Sequence, residues 1–78
     1  MAKADIFPVR FKKLRKKQGM TQYQVADRLN VTRSAIGHYE DGIRRPDIDM
    51  LVKIADVLYT SADYLLGRTE EEMDATRQ

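Results

Sequence analysis

The chain has 78 residues, enough for one domain with a thin core, because a domain of that size buries only about 60% of its unfolded surface. It holds no cysteine and a single histidine, His38, which excludes disulfides and thiolate metal sites, so neither metal nor cofactor is expected. The net charge of +2 is unevenly spread: Met1 to Arg45 carries eleven Lys/Arg against four Asp/Glu, net +7, and Pro46 to Gln78 carries three against eight, net −5.

A basic front half suggests a face that meets a polyanion; the alternative is that Lys12, Lys13, Lys16 and Lys17 form a solvated helix face. Met1 to Pro8 has Lys3 and Asp5 and no apolar run, so no secretory leader is expected there. No window approaches the roughly 18 apolar residues of a membrane span, so no membrane partner is expected, and a cytoplasmic location fits the lack of cysteine.

Helical periodicity runs along the chain and strand signals are weak, so the fold class is all-α. The first helix spans Phe7 to Lys17, with Pro8 in its first turn, an apolar stripe of Phe7, Phe11 and Leu14, and Gly19 as its left-handed end. The second starts after the cap Thr21 and runs to Leu29, with Val25, Ala26 and Leu29 inward and Asn30 at the turn. Thr32 caps the third, which carries Ile36 and Tyr39 inward and stops at Asp41-Gly42. The fourth spans Ile48 to Leu58 behind Asp47, with Leu51, Ile54, Ala55 and Leu58 on one face. A short fifth follows Ser61, holds Tyr64, Leu65 and Leu66, and ends at Gly67. The organisation is an arm at 1–6, a domain at 7–67 and an acidic tail at 68–78. That tail is either disordered or, from the capping-box spacing of Thr69 and Glu72, a brief sixth helix. Phe7, Phe11, Leu14, Val25, Leu29, Ile36, Leu51, Ile54, Leu58 and Leu65 form the expected core, with Met20 beside Leu14.

The connection Asn30-Val31-Thr32 is so short that the second and third helices must cross steeply, and Ala26 is the small residue such a crossing needs. The third helix then presents Arg33, Ser34, Gly37 and His38 outward. Arg reads guanine with a bidentate pair, and Ser contacts most base edges. Gly37 is either a place where a partner comes close or a neutral lapse.

The run Thr21-Gln22, Val25-Ala26, Leu29, Val31, Ile36, Tyr39-Glu40 and Gly42, flanked by Leu14-Arg15, by Arg45-Pro46-Asp47 and by Ala62-Asp63-Tyr64-Leu65-Leu66-Gly67, resembles the phage-repressor and Cro helix-turn-helix family, also called the XRE family. The resemblance covers Phe7 to Gly67. It implies a compact five-helix lambda-repressor-like domain whose second and third helices form the helix-turn-helix. It further implies that Arg33, Ser34 and His38 read bases, that Gln22, Thr32, Arg44 and Arg45 hold phosphates, and that Arg15 and Glu40 form a structural ion pair. Three positions depart from the pattern. Asp47 stands where some relatives carry a basic residue for the minor groove, Asn30 where glycine is frequent, and Tyr59 where Gly or Asn is common, as a dimer contact or a surface aromatic.

The expected function is sequence-specific binding of double-stranded DNA as a transcriptional repressor, acting as a homodimer on a near-palindromic operator. Tyr59, Tyr64 or Met73, on and around the fifth helix, are the expected subunit contacts. The alternative is an antitoxin or protein-interaction module whose tail, Glu70-Glu71-Glu72, folds on a protein partner. An enzyme is not expected, because no nucleophile–base pair or phosphate-binding glycine loop is present.

Overall fold

The computed structural model describes residues 6–72. Five helices follow one another, with no strand among the described residues: α1 (Ile6–Lys17), α2 (Gln22–Leu29), α3 (Arg33–Glu40), α4 (Ile48–Val57) and α5 (Ala62–Leu65). The fold is the lambda-repressor-like helical domain.

Short local signals set the helix starts. Thr21, Thr32, Asp47 and Ser61 each turn a side-chain oxygen onto the backbone N–H three residues on, at 3.1, 3.1, 2.8 and 3.0 Å. Each bond satisfies a donor that the first turn leaves unpaired. At Thr21 the exchange is reciprocal, since its own N–H donates to Gln24 Oε1 at 2.8 Å.

The helix ends are equally regular. Each helix is followed by a residue with positive φ: Gly19, Asn30, Gly42, Tyr59 and Gly67. The N–H of the next residue reaches back to a carbonyl five positions earlier, as Val31 does to Ala26 at 2.9 Å and Thr60 to Ala55 at 2.9 Å. This closure satisfies a carbonyl that the helix leaves orphaned and turns the chain sharply. Asn30, at φ 58 and ψ 45, makes the turn between α2 and α3 in this way. Tyr59, at φ 56, is the costly member of the set, because a bulky L-residue pays about 1–2 kcal/mol for that conformation.

The core joins all five helices. Phe7, Phe11, Leu14, Val25, Leu29, Ile36, Ile54, Leu58 and Leu65 are buried, with Tyr39 edge-on to Phe7 and stacked on Phe11. Met20 and Val31 pack against this cluster. Leu51 departs from expectation. It is only partly buried, at the rim of a groove it shares with Pro46 and Leu66.

No sixth helix begins at Thr69 within the described residues. Thr69 Oγ1 accepts from the N–H of Glu71 at 3.3 Å, and Glu72 is drawn away to Lys13 and Lys17 on α1. The arm at 1–5 and the end of the tail at 73–78, Met73 included, lie outside the described residues.

Candidate nucleic-acid interface

The third helix divides its residues cleanly. Ala35, Ile36 and Tyr39 are buried, while Arg33, Ser34 and His38 are exposed. Thr32, also exposed, caps the same helix. The exposed residues lie three or four apart or side by side on one face, as a groove-reading helix requires. Gly37 shares that face. A Cβ built there meets only Arg33 Nη1, at 3.9 Å, so nothing inside the molecule demands glycine.

A chain of polar contacts runs from the interior to Arg33. The Arg15 Nε–H donates to one Glu40 oxygen and Nη2 donates to the other at 3.2 Å, while Nη1 donates to the Met20 carbonyl at 2.9 Å. The Arg15 and Glu40 side chains are only 10% and 3% exposed, so the pair is buried and further hydrogen-bonded, as a buried pair must be to be tolerated. Gln22 Nε2 donates to Glu40 Oε1 at 3.0 Å, and Gln22 Oε1 accepts from Arg33 Nη1 at 2.9 Å. Residues from α1, α2 and α3 thus orient one exposed guanidinium. The Gln22 amide is a structural link as well as a group at a helix N-terminus.

The loop after α3 is fixed to the same helix. The His38 carbonyl accepts from the N–H groups of Ile43 and Arg44, at 3.0 and 3.2 Å. The Arg44 guanidinium carbon lies 5.8 Å from the Tyr39 ring. Arg44 and Arg45 are exposed, and Arg45 lines the groove with Phe7 and Pro46. Arg33, Ser34, His38, Gln22, Thr32, Arg44 and Arg45 thereby lie on two packed helices and the loop that leaves the second.

Several residues gain roles that composition hid. Tyr23 is 71% exposed beside Gln22, with its ring 5.8 Å from the Arg33 guanidinium carbon, so it joins this face. A large exposed aromatic next to a helix N-terminus was the available signal. Arg10 is buried. Its guanidinium lies 4.0 Å over the Tyr64 ring and donates to the carbonyls of Tyr64 and Thr69, both at 2.7 Å, and to Glu70 at 2.9 Å. Tyr64 is therefore covered and unavailable as a subunit contact, contrary to the expectation for the fifth helix.

The lysine-rich face of α1 is split. Lys13 and Lys17 both pair with Glu72, so part of the basic front half is neutralised by the chain's own acidic segment. Hydrogen bonds from Lys13 and then Lys17 pull the Glu72 carboxyl down to about 2 from the usual 4.5, and the Lys13 ammonium is raised chiefly by its hydrogen bond to Glu72.

Comparison with known proteins points the same way. The sequence pattern of the helix-turn-helix family matches residues 11–65. The transcriptional regulator ImmR of Bacillus subtilis is 41% identical over 61 residues, covering 78% of this chain and 48% of that one. The cryptic phage CTXphi transcriptional repressor RstR of Vibrio cholerae is 40% identical over 62 residues, covering 77% of this chain and 55% of that one. Among solved structures, the biofilm master regulator SinR in complex with DNA superposes with a TM-score of 0.72 at 30% identity, over 77% of this chain and 97% of that one. The chain spans 48% to 64% of the length of the first curated relatives it matches.

Proposed function

Because the chain belongs to the helix-turn-helix family, we propose that it is a transcriptional repressor that binds double-stranded DNA sequence-specifically, as a homodimer with α3 in the major groove. The observation that carries this reading is the contact chain Arg15–Glu40–Gln22–Arg33. It spends three residues on orienting one exposed arginine, which a merely solvated side chain does not need. A guanidinium has five N–H donors, so Gln22 fixes its direction and leaves a fork for the O6 and N7 acceptors of guanine.

In this reading residues 7–67 are the binding unit. Arg33, Ser34 and His38 face base edges. Thr32, Arg44, Arg45 and the second Nε2 hydrogen of Gln22 hold phosphates, and Tyr23 adds a hydroxyl to the same backbone. Asp47 caps α4 and carries a negative charge, which argues against insertion into the minor groove. That SinR was solved on DNA and that RstR is a repressor supports the reading.

Selection of bound duplexes from a random pool, followed by two substitutions, tests it. Arg33→Ala loses about 1–3 kcal/mol on the selected site and relaxes one base position. Arg45→Ala weakens binding to all sequences and lowers the salt slope by about 1. Unchanged affinity in both variants refutes the reading.

A further inference from the structure

We propose that the outer face of α4 receives a second copy of this chain on DNA, with Ile48 and Val52 at the centre of the contact and Asp49 of each copy against Lys53 of the other. The inference rests on the DNA-binding reading above and assigns the dimer surface that reading requires.

Ile48 is 80% exposed and Val52 50%, one turn apart on α4. The fold does not use them, since α4 turns Ile54 and Ala55 into the core instead. Isolated exposed aliphatics are ordinary, but two of them one turn apart on one helix face form a local apolar stripe. Leu51, the chain neighbour of Val52, lines with Phe7, Arg45, Pro46 and Leu66 a groove of about 110 Å³, room for one aliphatic side chain of a partner.

Three arguments name the occupant. The first is position. Ile48 follows Arg44-Arg45 by three residues, so on the reading above a partner on this face stands close to the duplex that those arginines hold. A second DNA-binding copy meets that condition. The second is charge. Asp49 and Lys53 are exposed beside Ile48 and Val52 at the same four-residue spacing. Antiparallel pairing of two α4 helices about a two-fold axis that passes between residues 50 and 51 brings 48 near 52 and 49 near 53, each offset by about 1.5 Å along the helix, apolar by apolar and negative by positive. An isologous contact needs such self-complementarity. The third is size. The molecule measures 33 × 28 × 22 Å, and adjoining half-sites lie about 34–36 Å apart, so two bound copies stand flank to flank. A contact of one helix face is small, which suits pairing on DNA and a monomer in free solution.

The test uses the full chain and two duplexes drawn from the selection experiment, one with a single half-site and one with two inverted half-sites. The unsubstituted chain is expected to bind the second duplex cooperatively. Asp49→Lys alone and Lys53→Asp alone each cut that cooperativity about tenfold, read as the ratio of two-site to one-site affinity, so that general charge effects on DNA cancel. An equimolar mixture of the two variants is expected to restore it, because each new lysine then faces an acidic residue and each new aspartate a basic one. Neither variant regains a pair within its own helix, so restoration reports an intermolecular contact. Val52→Glu abolishes cooperativity while leaving one-site affinity and helical content intact.

No restoration in the mixture, or cooperativity that survives Val52→Glu, overturns the proposal and leaves the α4 face to another partner. Single half-site binding without cooperativity in the unsubstituted chain overturns it while sparing the DNA-binding reading. Failure to bind either duplex overturns both.

Discussion

Helix α1 holds the rest of the molecule by two arginines, one on each flank, and the flanks are built differently. On one, Arg15 enters the interior and meets Glu40, and from there Gln22 and Arg33 carry the contact to the outward face of α3. On the other, Arg10 covers Tyr64 and reaches Glu70, while Lys13 and Lys17 hold Glu72. The partners are the same kinds of ion. Their surroundings are not: both members of the Arg15–Glu40 pair are buried, at 10% and 3%, whereas each pair on the other flank has one open member, Glu70 at 88% against Arg10 at 8% and the lysines at 56% against Glu72 at 19%. A buried charge stripped of its partner is stranded in a poor solvent, while an exposed one returns to water. One flank therefore sets the position of the reading helix, and the other fastens a surface strap.

The sharpest way to break this contrast is Glu40→Ala. It leaves Arg15 charged and buried, and unfolding by denaturant should show a loss of about 3–5 kcal/mol. A loss near zero would mean that the front pair is no better than the rear one.

Gln22→Ala should separate position from stability. The ion pair survives, so the denaturant midpoint moves little, but Arg33 loses its guide. Affinity for the selected duplex should fall by about 1–3 kcal/mol, close to the effect of Arg33→Ala, and the double variant should be far from additive. Additive losses would show that Gln22 acts on DNA independently of Arg33.

Gly37→Ala probes the outward face while leaving the hydrogen bonds of the contact chain in place, since the new Cβ only reaches van der Waals distance, 3.9 Å, from Arg33 Nη1. There is room for the methyl group, so helix propensity should stabilise the free domain by up to about 1 kcal/mol. Weaker binding to the selected duplex in the same variant marks a close approach of DNA at Gly37, and unchanged binding marks the neutral lapse.

The smallest effect belongs to the strap. Glu72→Gln should lower the denaturant midpoint slightly at neutral pH and leave it unchanged near pH 2, because the two lysines that face it are exposed and screened by solvent. The Glu72 carboxyl is held low in the folded chain, at about 2 against 4.5, so its contribution is complete above about pH 4.5 and is lost as pH falls toward 2. A carboxyl titration followed by NMR should place its midpoint near 2, and a midpoint at the ordinary value would detach the strap from α1.

What the sequence disclosed follows from how local each signal is. The caps at Thr21, Thr32, Asp47 and Ser61 act over three residues, so the helix starts were legible, as was the left-handed turn at Asn30. Arg10 was legible in principle. It occupies the i+3 place in the stripe Phe7, Phe11, Leu14, and a charge on an apolar stripe asks for a buried partner. The link from Gln22 to Glu40 and the pull of Lys13 and Lys17 on Glu72 were not, because they join residues 18 to 59 positions apart whose meeting depends on the finished fold. Leu51 shows the limit of periodicity. Its spacing matches that of the buried residues on α4, but its end of the helix lies at the edge of the core, where a groove replaces packing.

The clean division of α3 has a practical meaning for redesign. Everything that seats the helix points inward or sits at its ends: the cap Thr32, then Ala35, Ile36, Tyr39 and Glu40. Positions 33, 34, 37 and 38 take no part in the core, so they form an exchangeable cassette. New residues there should alter which duplex is preferred while the scaffold refolds unchanged, provided that whatever replaces Arg33 still accepts guidance from Gln22.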